Sequence, residues 1–423
     1  MISFLFITAI TINLALWGRL LLKGKSVFAL TVHTVFMVFF IGVPGYVQYT
    51  SNVYPWIYKN YLDTDNVIGA LLMLNIYSIS FSLGYLLSNS KKNSIAKNRK
   101  PSTSKLLAIT LIATILSAYL VSQVGISNFF QSRGSVGEII YDTNNNLAML
   151  YAAAKFSIFS VLALTLLEYR SIKEQSTHTK TNWKIKSSLL LIIACNFIIN
   201  NPLSSPRFHF LSMAITLMLI MGFAKRKYFN QLVFAASPAF LYFIFPKIKD
   251  FSADRYKGEQ SLASYLSTGV DFDSFLQLAN IYKFAVETSY SLGSNIIGGI
   301  AFFVPRVIWE TKPIHLGALS SEHAGYAYTN LSAPWPGELF YIFGWPSLIV
   351  GAYFSGVILK KIDSTIKGSA NKTTLANGVS FIAAGFIFIV MRGSFGAVFP
   401  VISLCLVVFT TSYYITRQKQ NNY

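Results

Sequence analysis

Eleven stretches of this chain are apolar over most of the length that a helix needs to cross a lipid bilayer. About 20 apolar residues span the hydrocarbon as a helix, because every backbone N–H and C=O group must be hydrogen-bonded within the segment there. These stretches predict an all-α integral membrane protein with about eleven transmembrane helices. They are Ile2–Gly18, Val27–Val47, Val67–Leu87, Leu106–Gly125, Leu147–Leu167, Ser188–Asn200, Phe210–Ala224, Gln231–Phe245, Leu339–Leu359, Gly378–Met391 and Phe395–Ile415. The short stretches on either side of Asn201–Arg207 predict a tight helical hairpin.

The charged residues follow the pattern of a membrane protein. Only 12% of the residues are charged, yet the formal net charge is +19. Alternate connectors hold 23 of the 35 Lys and Arg residues and three of the 16 acidic residues, a net of +20, which leaves −1 for the rest of the chain. Lys and Arg are retained on the cytoplasmic side, so the pattern predicts an external N-terminus and a cytoplasmic C-terminus. The basic excess therefore indicates orientation, and no nucleic-acid partner is expected.

One external connector is far longer than the others. It runs from Lys247 to about Gly337. It divides the chain into an eight-helix membrane portion (1–246), a large external loop (247–337) and a three-helix membrane portion (338–423), which together form one membrane domain. A connection of this length normally carries function or structure of its own. We therefore expect short helices and functional residues within it.

Two segments of this loop are apolar enough to form elements. Between Phe272 and Val286, apolar residues recur at helical spacing, while Asp271 and Asp273 lie off that face. This helix would lie either on the bilayer surface or against the rest of the loop. Ser291–Pro305 is apolar but short and rich in glycine. We expect it to be an interfacial or re-entrant piece, because a span here would place the later basic connectors outside.

Motifs for nucleotide, metal or disulfide chemistry are absent from the sequence. Cys195 and Cys405 lie inside predicted spans and are expected to be buried packing residues. The chain has no P-loop, dinucleotide-binding fingerprint, zinc-protease signature or internal repeat. No cofactor and no bound metal are therefore expected.

Arginines are few on the external side, which makes each of them more informative. Arg207 stands at the outer end of a span, Arg392 lies in the tight connection VMRGSFG, and Arg133, Arg255 and Arg306 lie in external loops. A guanidinium is suited to bidentate contact with phosphate oxygens, and near a membrane it is costly unless it is paired or faces a polar cavity. The set favours a shared site for an anion. Each arginine alone could instead be a snorkelling anchor or part of a structural ion pair.

A group transfer at this face would also need a general base for the acceptor hydroxyl. The best-placed candidates are Glu338 at the outer end of a span, and His315 and His323 in the loop. The alternative for each of them is a structural hydrogen-bonding role, because the sequence does not show which residues are in contact.

Three segments resemble a known family. They are NNPLSSPRFHF (200–210), FVPRVIWETKP (303–313) and NLSAPWPGELFYIFGW (330–345), and ten residues separate Arg306 from Gly317. Together with about eleven spans and one late external loop, they are similar to the oligosaccharide repeat-unit polymerase (O-antigen polymerase) family of bacterial surface-polysaccharide synthesis. The resemblance covers 207–392, and the N-terminal third matches in topology only.

The resemblance implies a metal-independent membrane glycosyltransferase with a fold of the type C glycosyltransferase kind, in the bacterial cytoplasmic membrane. Its substrates would be undecaprenyl-diphosphate-linked oligosaccharide units in the outer leaflet. It would polymerise them into O-antigen or capsular polysaccharide, with a flippase and a chain-length regulator as partners in the bilayer.

Fixed cationic donors would stabilise the diphosphate as it leaves. As a hypothesis, Arg255 and Arg306, helped by Lys312, hold the diphosphate, while Arg207 and Arg392 line the same cavity. The remaining candidates for contact with the diphosphate or the sugar are Arg133 and Trp309.

Two other functions compete with this one. An O-antigen ligase shares the topology and the lipid-diphosphate donor, but it transfers the finished glycan to a lipid A core. A lipid-linked oligosaccharide flippase would carry its charged groups near the bilayer midplane and often shows repeated halves. Here the spans are nearly free of charge, with Lys155 the main exception, and the candidate residues gather at the outer rim.

Overall fold

The computed structural model describes residues 1–24, 27–56, 62–89, 101–131, 137, 139–140, 145–175, 183–244, 261–329, 331–368 and 374–417. Within these ranges the chain is helical, with no β-strand and one isolated bridge between Pro101 and Arg417. The helices in chain order are α1 Ile2–Leu22, α2 Phe28–Ser51, α3 Thr64–Leu87, α4 Thr103–Val124, α5 Asn145–Gln175, α6 Trp183–Ile199, α7 Arg207–Ile220, α8 Phe229–Ile244, α9 Leu262–Thr268, α10 Ser274–Glu287, α11 Ser294–Ile300, α12 Leu316–His323, α13 Trp335–Phe343, α14 Trp345–Gly368, α15 Leu375–Arg392 and α16 Phe395–Thr416.

Seven of the described helices are long and apolar enough to cross a membrane, namely α1 to α5, α15 and α16. Most of them begin and end within a few residues of the predicted spans, although α5 continues to Gln175 rather than ending at Leu167. Together they support a helical, multi-pass membrane protein.

The other four predicted spans are helical but shorter or interrupted. α6 has 17 residues and α7 has 14. At 1.5 Å per residue, α7 rises about 21 Å, less than the hydrocarbon thickness of about 30 Å. α8 contains Pro238 and ends in a π-helical turn, Phe240–Ile244. The length and composition of a span are therefore met by seven of the eleven predicted stretches.

The ninth predicted span, Leu339–Leu359, is two helices, α13 and α14. Gly344 separates them with φ +72° and ψ −138°, a backbone conformation that favours glycine. The last turn of α13 is satisfied from outside the helix, because the carbonyl of Tyr341 accepts the N–H of Ser291 at 2.8 Å. A returning loop segment therefore ends α13 where the apolar pattern predicted one continuous helix.

α2 is the most buried of the membrane helices, and α3 and α14 approach each other closely. A Cβ at Gly84 of α3 would overlap the carbonyl oxygen of Tyr353, and one at Gly356 of α14 would overlap that of Phe81. Small residues allow helix backbones to approach this closely in membranes. Nearly all of α2 is buried, whereas α4 and α16 turn most of their surface outward. Glycines at these two positions thus allow the backbones of α3 and α14 to come into contact.

Polar contacts between connectors show which helix ends lie together, and they define two groups, one at each end of the helix bundle. The first group, the basic end, contains the connectors rich in Lys and Arg. The second group, the loop end, contains the connectors that meet the large loop, and there Asn201 Nδ2 donates to the carbonyl of Phe129 at 2.8 Å. The contacts that join the basic end are Arg417 with Glu168, Arg170 with the carbonyl of Ile220, Lys184 with Ser104, and Asp363 with Tyr85.

A carboxylate from α14 caps the start of α2 at the basic end. Asp363 Oδ1 accepts the N–H of Ala29 at 2.7 Å, Oδ2 accepts that of Leu30 at 3.2 Å, and the Tyr85 hydroxyl donates to Oδ2 at 2.7 Å. The first N–H groups of a helix lack partners within the helix, and negative charge is favourable beside them. The contact joins positions 334 residues apart. The last third of the chain therefore supplies the hydrogen-bond acceptor for the first N–H groups of a helix in the first third.

α10 is buried on most of its circumference, including polar Gln277. Phe275 packs against Gly45 of α2, and Tyr282 packs against Gly69 of α3. The expectation of a helix on the bilayer surface is therefore wrong. The packed alternative is closer, although α10 lies against the membrane helices as well as against the loop.

α11 is the helical part of Ser291–Pro305 and has seven residues. Such a helix rises about 10 Å, one third of the hydrocarbon thickness. The segment is therefore too short in its helical part to cross the membrane, in agreement with an interfacial or re-entrant piece.

Candidate functional site

Two arginines from different helices converge on one turn of the large loop. Arg207, the first residue of α7, donates to both carboxylate oxygens of Asp271 at 2.8 and 2.9 Å. Arg392, the last residue of α15, donates to Asp273 Oδ1 and to the carbonyl of Val270, both at 3.2 Å. The turn Val270–Asp273 therefore joins the loop to two membrane helices through charged contacts.

The guanidinium groups are more accessible than their acidic partners. Both aspartates are buried, whereas Arg207 and Arg392 are partly exposed. The Arg392 guanidinium also lies over the ring of Phe208, 4.4 Å from its centre, which is a favourable cation–π arrangement. Each arginine therefore keeps some accessible surface while its Nη2 is held by the turn.

Asp273 also holds the segment that leads into α13. The Ser332 hydroxyl donates to Asp273 Oδ1 at 2.7 Å, and the N–H of Ala333 donates to the carbonyl of Arg392 at 2.9 Å. One buried carboxylate thus ties together the start of α10, the end of α15 and the approach to α13.

Glu338, a predicted catalytic residue, is buried in the first turn of α13 with both oxygens occupied. Oε1 accepts the Ser394 hydroxyl at 2.6 Å and the N–H of Phe395 at 2.9 Å, and Oε2 accepts Asn295 Nδ2 at 2.8 Å. Burial raises the pKa of the Glu338 carboxyl, and the three donors oppose part of that rise. In this arrangement Glu338 caps the start of α16 and positions the connection that contains Arg392.

His315 lies beside the same connection as the N-cap of α12. Its Nδ1 accepts the N–H of Ala318 at 3.2 Å, so the proton of the neutral ring lies on Nε2. Burial lowers the pKa of His315, which favours the neutral form. The side chain packs against Gly396 of α16. In this form His315 can donate a hydrogen bond from Nε2, whereas a general base would have to accept one there.

Arg306 and Lys312 lie in one segment of turns between α11 and α12. Arg306 donates to the carbonyl of Lys312 at 2.9 Å, and Lys312 Nζ donates to the carbonyl of Val304 at 3.0 Å. Arg306 is exposed, and so are its apolar neighbours Phe303 and Val307. Two cations therefore stand within an apolar surface.

This segment is held against the start of α16. Phe395 packs on Gly299 of α11, and Pro313 packs on Gly298. Trp309, a predicted substrate contact, is half-buried within the same segment. The arrangement brings the segment that carries Arg306 and Lys312 to the connection that follows Arg392.

His323 lies at the opposite end of α10 from the arginine pairs. Its Nε2 is 2.8 Å from Glu287 Oε2. Asp273 precedes α10 and Glu287 ends it, and a helix of 14 residues is about 21 Å long. His323 and Arg392 therefore cannot act on the same reacting atom in this arrangement.

Arg133 and Arg255 lie outside the described residues. In the described part of the chain, no group of three or more His, Cys, Asp and Glu side chains is arranged to hold a metal ion.

Asp271 and Asp273 were not among the predicted site residues. The sequence gives little indication that they belong to the site, because acidic residues are common just before a helix, where they are usually exposed to solvent. The partners lie 64 and 119 positions away in the chain, and no local pattern indicates such contacts.

Comparison with known proteins assigns no family to this arrangement, since no family model, curated protein or solved structure matches the chain.

Proposed function

We propose that this protein is a membrane glycosyltransferase that polymerises undecaprenyl-diphosphate-linked oligosaccharide repeat units on the external face of the bacterial cytoplasmic membrane. The product would be O-antigen or capsular polysaccharide. The chain would cross the membrane eleven times, with the N-terminus outside and the C-terminus inside. The observation that carries the proposal is the convergence of Arg207 and Arg392 on the turn Val270–Asp273 at the loop end.

The reaction requires negative charge to be stabilised on the leaving group. The bond between the donor sugar C1 and the diphosphate oxygen breaks, and its electron pair leaves with the lipid diphosphate. The acceptor hydroxyl oxygen bonds to C1 and releases its proton to water. Fixed donors aimed at the departing oxygens lower the barrier of such a step. Arg207 and Arg392 supply two of these donors.

Arg306, Lys312 and His315 extend the same donor surface. The segment that carries Arg306 and Lys312 packs at the start of α16, and His315 packs on Gly396 there. His315 contributes a neutral Nε2–H donor rather than the base. Glu338 has the role of positioning the connection after Arg392.

The acidic partners keep the arginines in place when no substrate is bound. A diphosphate carries more negative charge than one carboxylate and offers several acceptor oxygens to the accessible part of each arginine side chain. Binding therefore does not require the buried Asp273 to leave its contacts with Arg392 and Ser332.

An apolar surface for the polyprenyl chain lies close to these donors. Leu292 is exposed just before α11 and Ile297 within it, and Phe303 and Val307 are exposed in the segment that contains Arg306. A lipid-linked diphosphate needs such a neighbourhood, because its head group is anionic and its tail stays in the bilayer.

The test is the glycan ladder of a deletion strain complemented with the wild type, Arg306→Ala or Arg392→Ala. We expect both variants to leave only single repeat units on the cell surface, with normal amounts of protein in the membrane. Arg226→Ala is the matched control, because Arg226 is an exposed arginine at the basic end and should leave the ladder unchanged.

The same strains distinguish the competing functions. Long polymer that stays on the lipid carrier and is not attached to the cell surface would indicate a ligase. Absence of repeat units from the external face would indicate a flippase. Full-length ladders in both variants would refute the role of the arginines.

A further inference from the structure

The buried helix α10 carries a line of polar side chains that the reaction above does not use. Ser274, Gln277 and Asn280 follow one side of the helix at intervals of three residues. All three are buried, in a helix that otherwise presents apolar residues to its neighbours. Buried polar groups normally have hydrogen-bond partners.

The hydrogen bonds of this line are concentrated at its outer end. Ser274 Oγ makes no hydrogen bond to another described residue. Asn280 Nδ2 donates to Gln277 Oε1 at 3.3 Å and to the Tyr326 hydroxyl at 3.1 Å. The Gln277 side chain also interacts with the Tyr326 hydroxyl, so two buried amides converge on this tyrosine.

Aromatic side chains cover the outer end of this line. Tyr326 is half-buried, and Tyr328, two residues further on, is 64% exposed. The rings of Tyr328 and Trp56 lie 5.5 Å apart between their centres. The two rings therefore lie together at the loop end of the molecule, and Tyr328 is two residues along the chain from Tyr326.

Trp56 has a strained backbone conformation next to the Tyr328 ring. Trp56 has φ +66°, a conformation that non-glycine residues rarely adopt. Its indole Nε1 is buried without a partner among the described residues. Strain of this kind persists only where the surrounding structure imposes it, and it is frequent at ligand-binding positions.

We propose that Gln277, Asn280, Tyr326, Tyr328 and Trp56 form a saccharide-binding site, which we name the aromatic site. A sugar ring presents an apolar face that packs on aromatic rings, and hydroxyl groups that exchange hydrogen bonds with amide, phenol and indole groups. None of these five side chains is cationic, so the aromatic site is suited to a neutral part of a glycan rather than to a diphosphate.

The position of the aromatic site relative to the arginines supports this division of roles. Asp273, the partner of Arg392, and Asn280 are seven residues apart, which is about 10 Å along α10. The separation places the aromatic site beside the proposed reaction centre. The identity of the saccharide as the repeat unit rests on the proposed function, whereas the aromatic site itself rests on the side chains described here.

The test measures binding of the oligosaccharide that mild acid releases from the lipid-linked repeat units of the host. It is titrated into the full-length, detergent-purified protein and followed by isothermal titration calorimetry. We expect Gln277→Met and Tyr328→Ala to weaken binding about tenfold or more, as expected for the loss of one buried hydrogen bond or one stacking contact. Tyr228→Ala should bind like the wild type, because Tyr228 is equally exposed at 64% but lies at the basic end.

Gln277→Met also separates binding from folding. An apolar side chain of similar shape fills the same buried volume, and Asn280 keeps its hydrogen bond to Tyr326, so the melting temperature should change little. Weaker binding with unchanged or higher stability supports the aromatic site. If Gln277→Met unfolds, the exposed Tyr328→Ala decides the question by itself.

Wild-type affinity in both Gln277→Met and Tyr328→Ala would overturn the proposal, and so would an absence of binding to the wild type. Arg306→Ala distinguishes the two proposals, because it should lose the glycan ladder yet bind the released oligosaccharide normally. A full ladder in Arg306→Ala and Arg392→Ala with tenfold weaker binding in Tyr328→Ala would refute the role of the arginines and leave the aromatic site in place.

Discussion

The two ends of the bundle both carry arginine–carboxylate pairs, but the pairs differ in how far they are exposed. At the basic end, the side chains of Arg417 and Glu168 are 3% and 0% exposed. At the loop end, those of Arg207 and Arg392 are 17% and 21% exposed. A fully buried pair leaves an unpaired charge in a medium of low dielectric when either partner is removed. A partly exposed arginine can bind a second anion without that penalty.

The difference shows that an arginine–carboxylate pair can be structural or can form part of a binding site. The Arg417 guanidinium lies over the Tyr413 ring at 4.3 Å and bonds to Glu168, which joins α16 to α5. Arg392 also lies over an aromatic ring and bonds to an acid. The contacts are of the same kind, and the exposed fraction of the side chain distinguishes the proposed binding arginine from the structural one.

The largest expected effect is at the basic end. Glu168→Ala should lower the free energy of unfolding by about 3–5 kcal/mol, because it leaves Arg417 buried without its carboxylate. Thermal unfolding of the detergent-purified protein measures this loss. The double variant Glu168→Met with Arg417→Met should recover most of it. A wild-type melting temperature for Glu168→Ala would show that this pair contributes no more than an exposed one.

The next effect is on the reaction and belongs to the loop end. Arg392→Lys keeps a positive charge opposite Asp273 but loses the planar fork that contacts two oxygens at once. We expect the polymerisation rate to fall by about 10²-fold, the scale of losing one aimed donor. In vitro extension of lipid-linked units measures the rate.

Arg417→Lys is the matched control for this variant. It should lower the amount of folded protein while leaving the rate per folded molecule unchanged. Equal rate losses in Arg392→Lys and Arg417→Lys would remove the distinction between the two ends.

A smaller effect concerns the coupling between each arginine and its acid. A double-mutant cycle on Arg392 and Asp273 should give about 1 kcal/mol, less than the cycle on Arg417 and Glu168. Inorganic pyrophosphate should reduce the coupling at the loop end only, since a second anion bound beside the ion pair screens the charge of a partly exposed guanidinium. Identical responses of both cycles to pyrophosphate would contradict this.

The smallest effect is a dependence on pH at the loop end. The pKa of His315 is lowered from its ordinary value of 6.5, so the neutral ring contributes stability above that pH. This stability is lost as the pH falls through the lower value of the folded state, because protonated Nδ1 cannot accept the N–H of Ala318. The loss should be below about 1 kcal/mol, the scale of one N-cap.

Amide hydrogen exchange of 315–323 at about pH 7.5 and about pH 5.5 measures this effect, with less protection expected at the lower pH. His315→Asn supplies a cap acceptor that does not titrate. Protection that still falls at the lower pH in this variant would show that another group is responsible.

Much of the fold could be predicted because apolar length is a strong constraint in a membrane. The stretch Gly378–Met391 became α15, Leu375–Arg392, with a difference of a few residues. The break at Gly344 was missed because it depends on Ser291, which bonds to the end of α13 from 50 positions earlier in the chain. The pattern of apolar residues contains no information about a contact of this kind.

The predictions for the site were limited in the same way. Arg207 and Arg392 were selected because arginine is rare on the external side, and that reasoning needs no partner. Asp273 could not be assigned to Arg392 from the sequence. The spacing of apolar residues in α10 predicts a polar side that faces solvent, whereas the structure buries that side. The prediction of His323 as a catalytic residue took no account of the length of α10, which separates it from Arg392.

The cap of α2 by Asp363 has a consequence for how the protein is made. The N–H groups of Ala29 and Leu30 find their acceptor 334 and 333 positions later in the chain. At about 5–20 residues per second, a ribosome needs roughly 17–70 s to reach that residue. The start of the most buried helix therefore stays uncapped while the rest of the membrane helices are inserted, and water or the translocation machinery must satisfy it in the meantime.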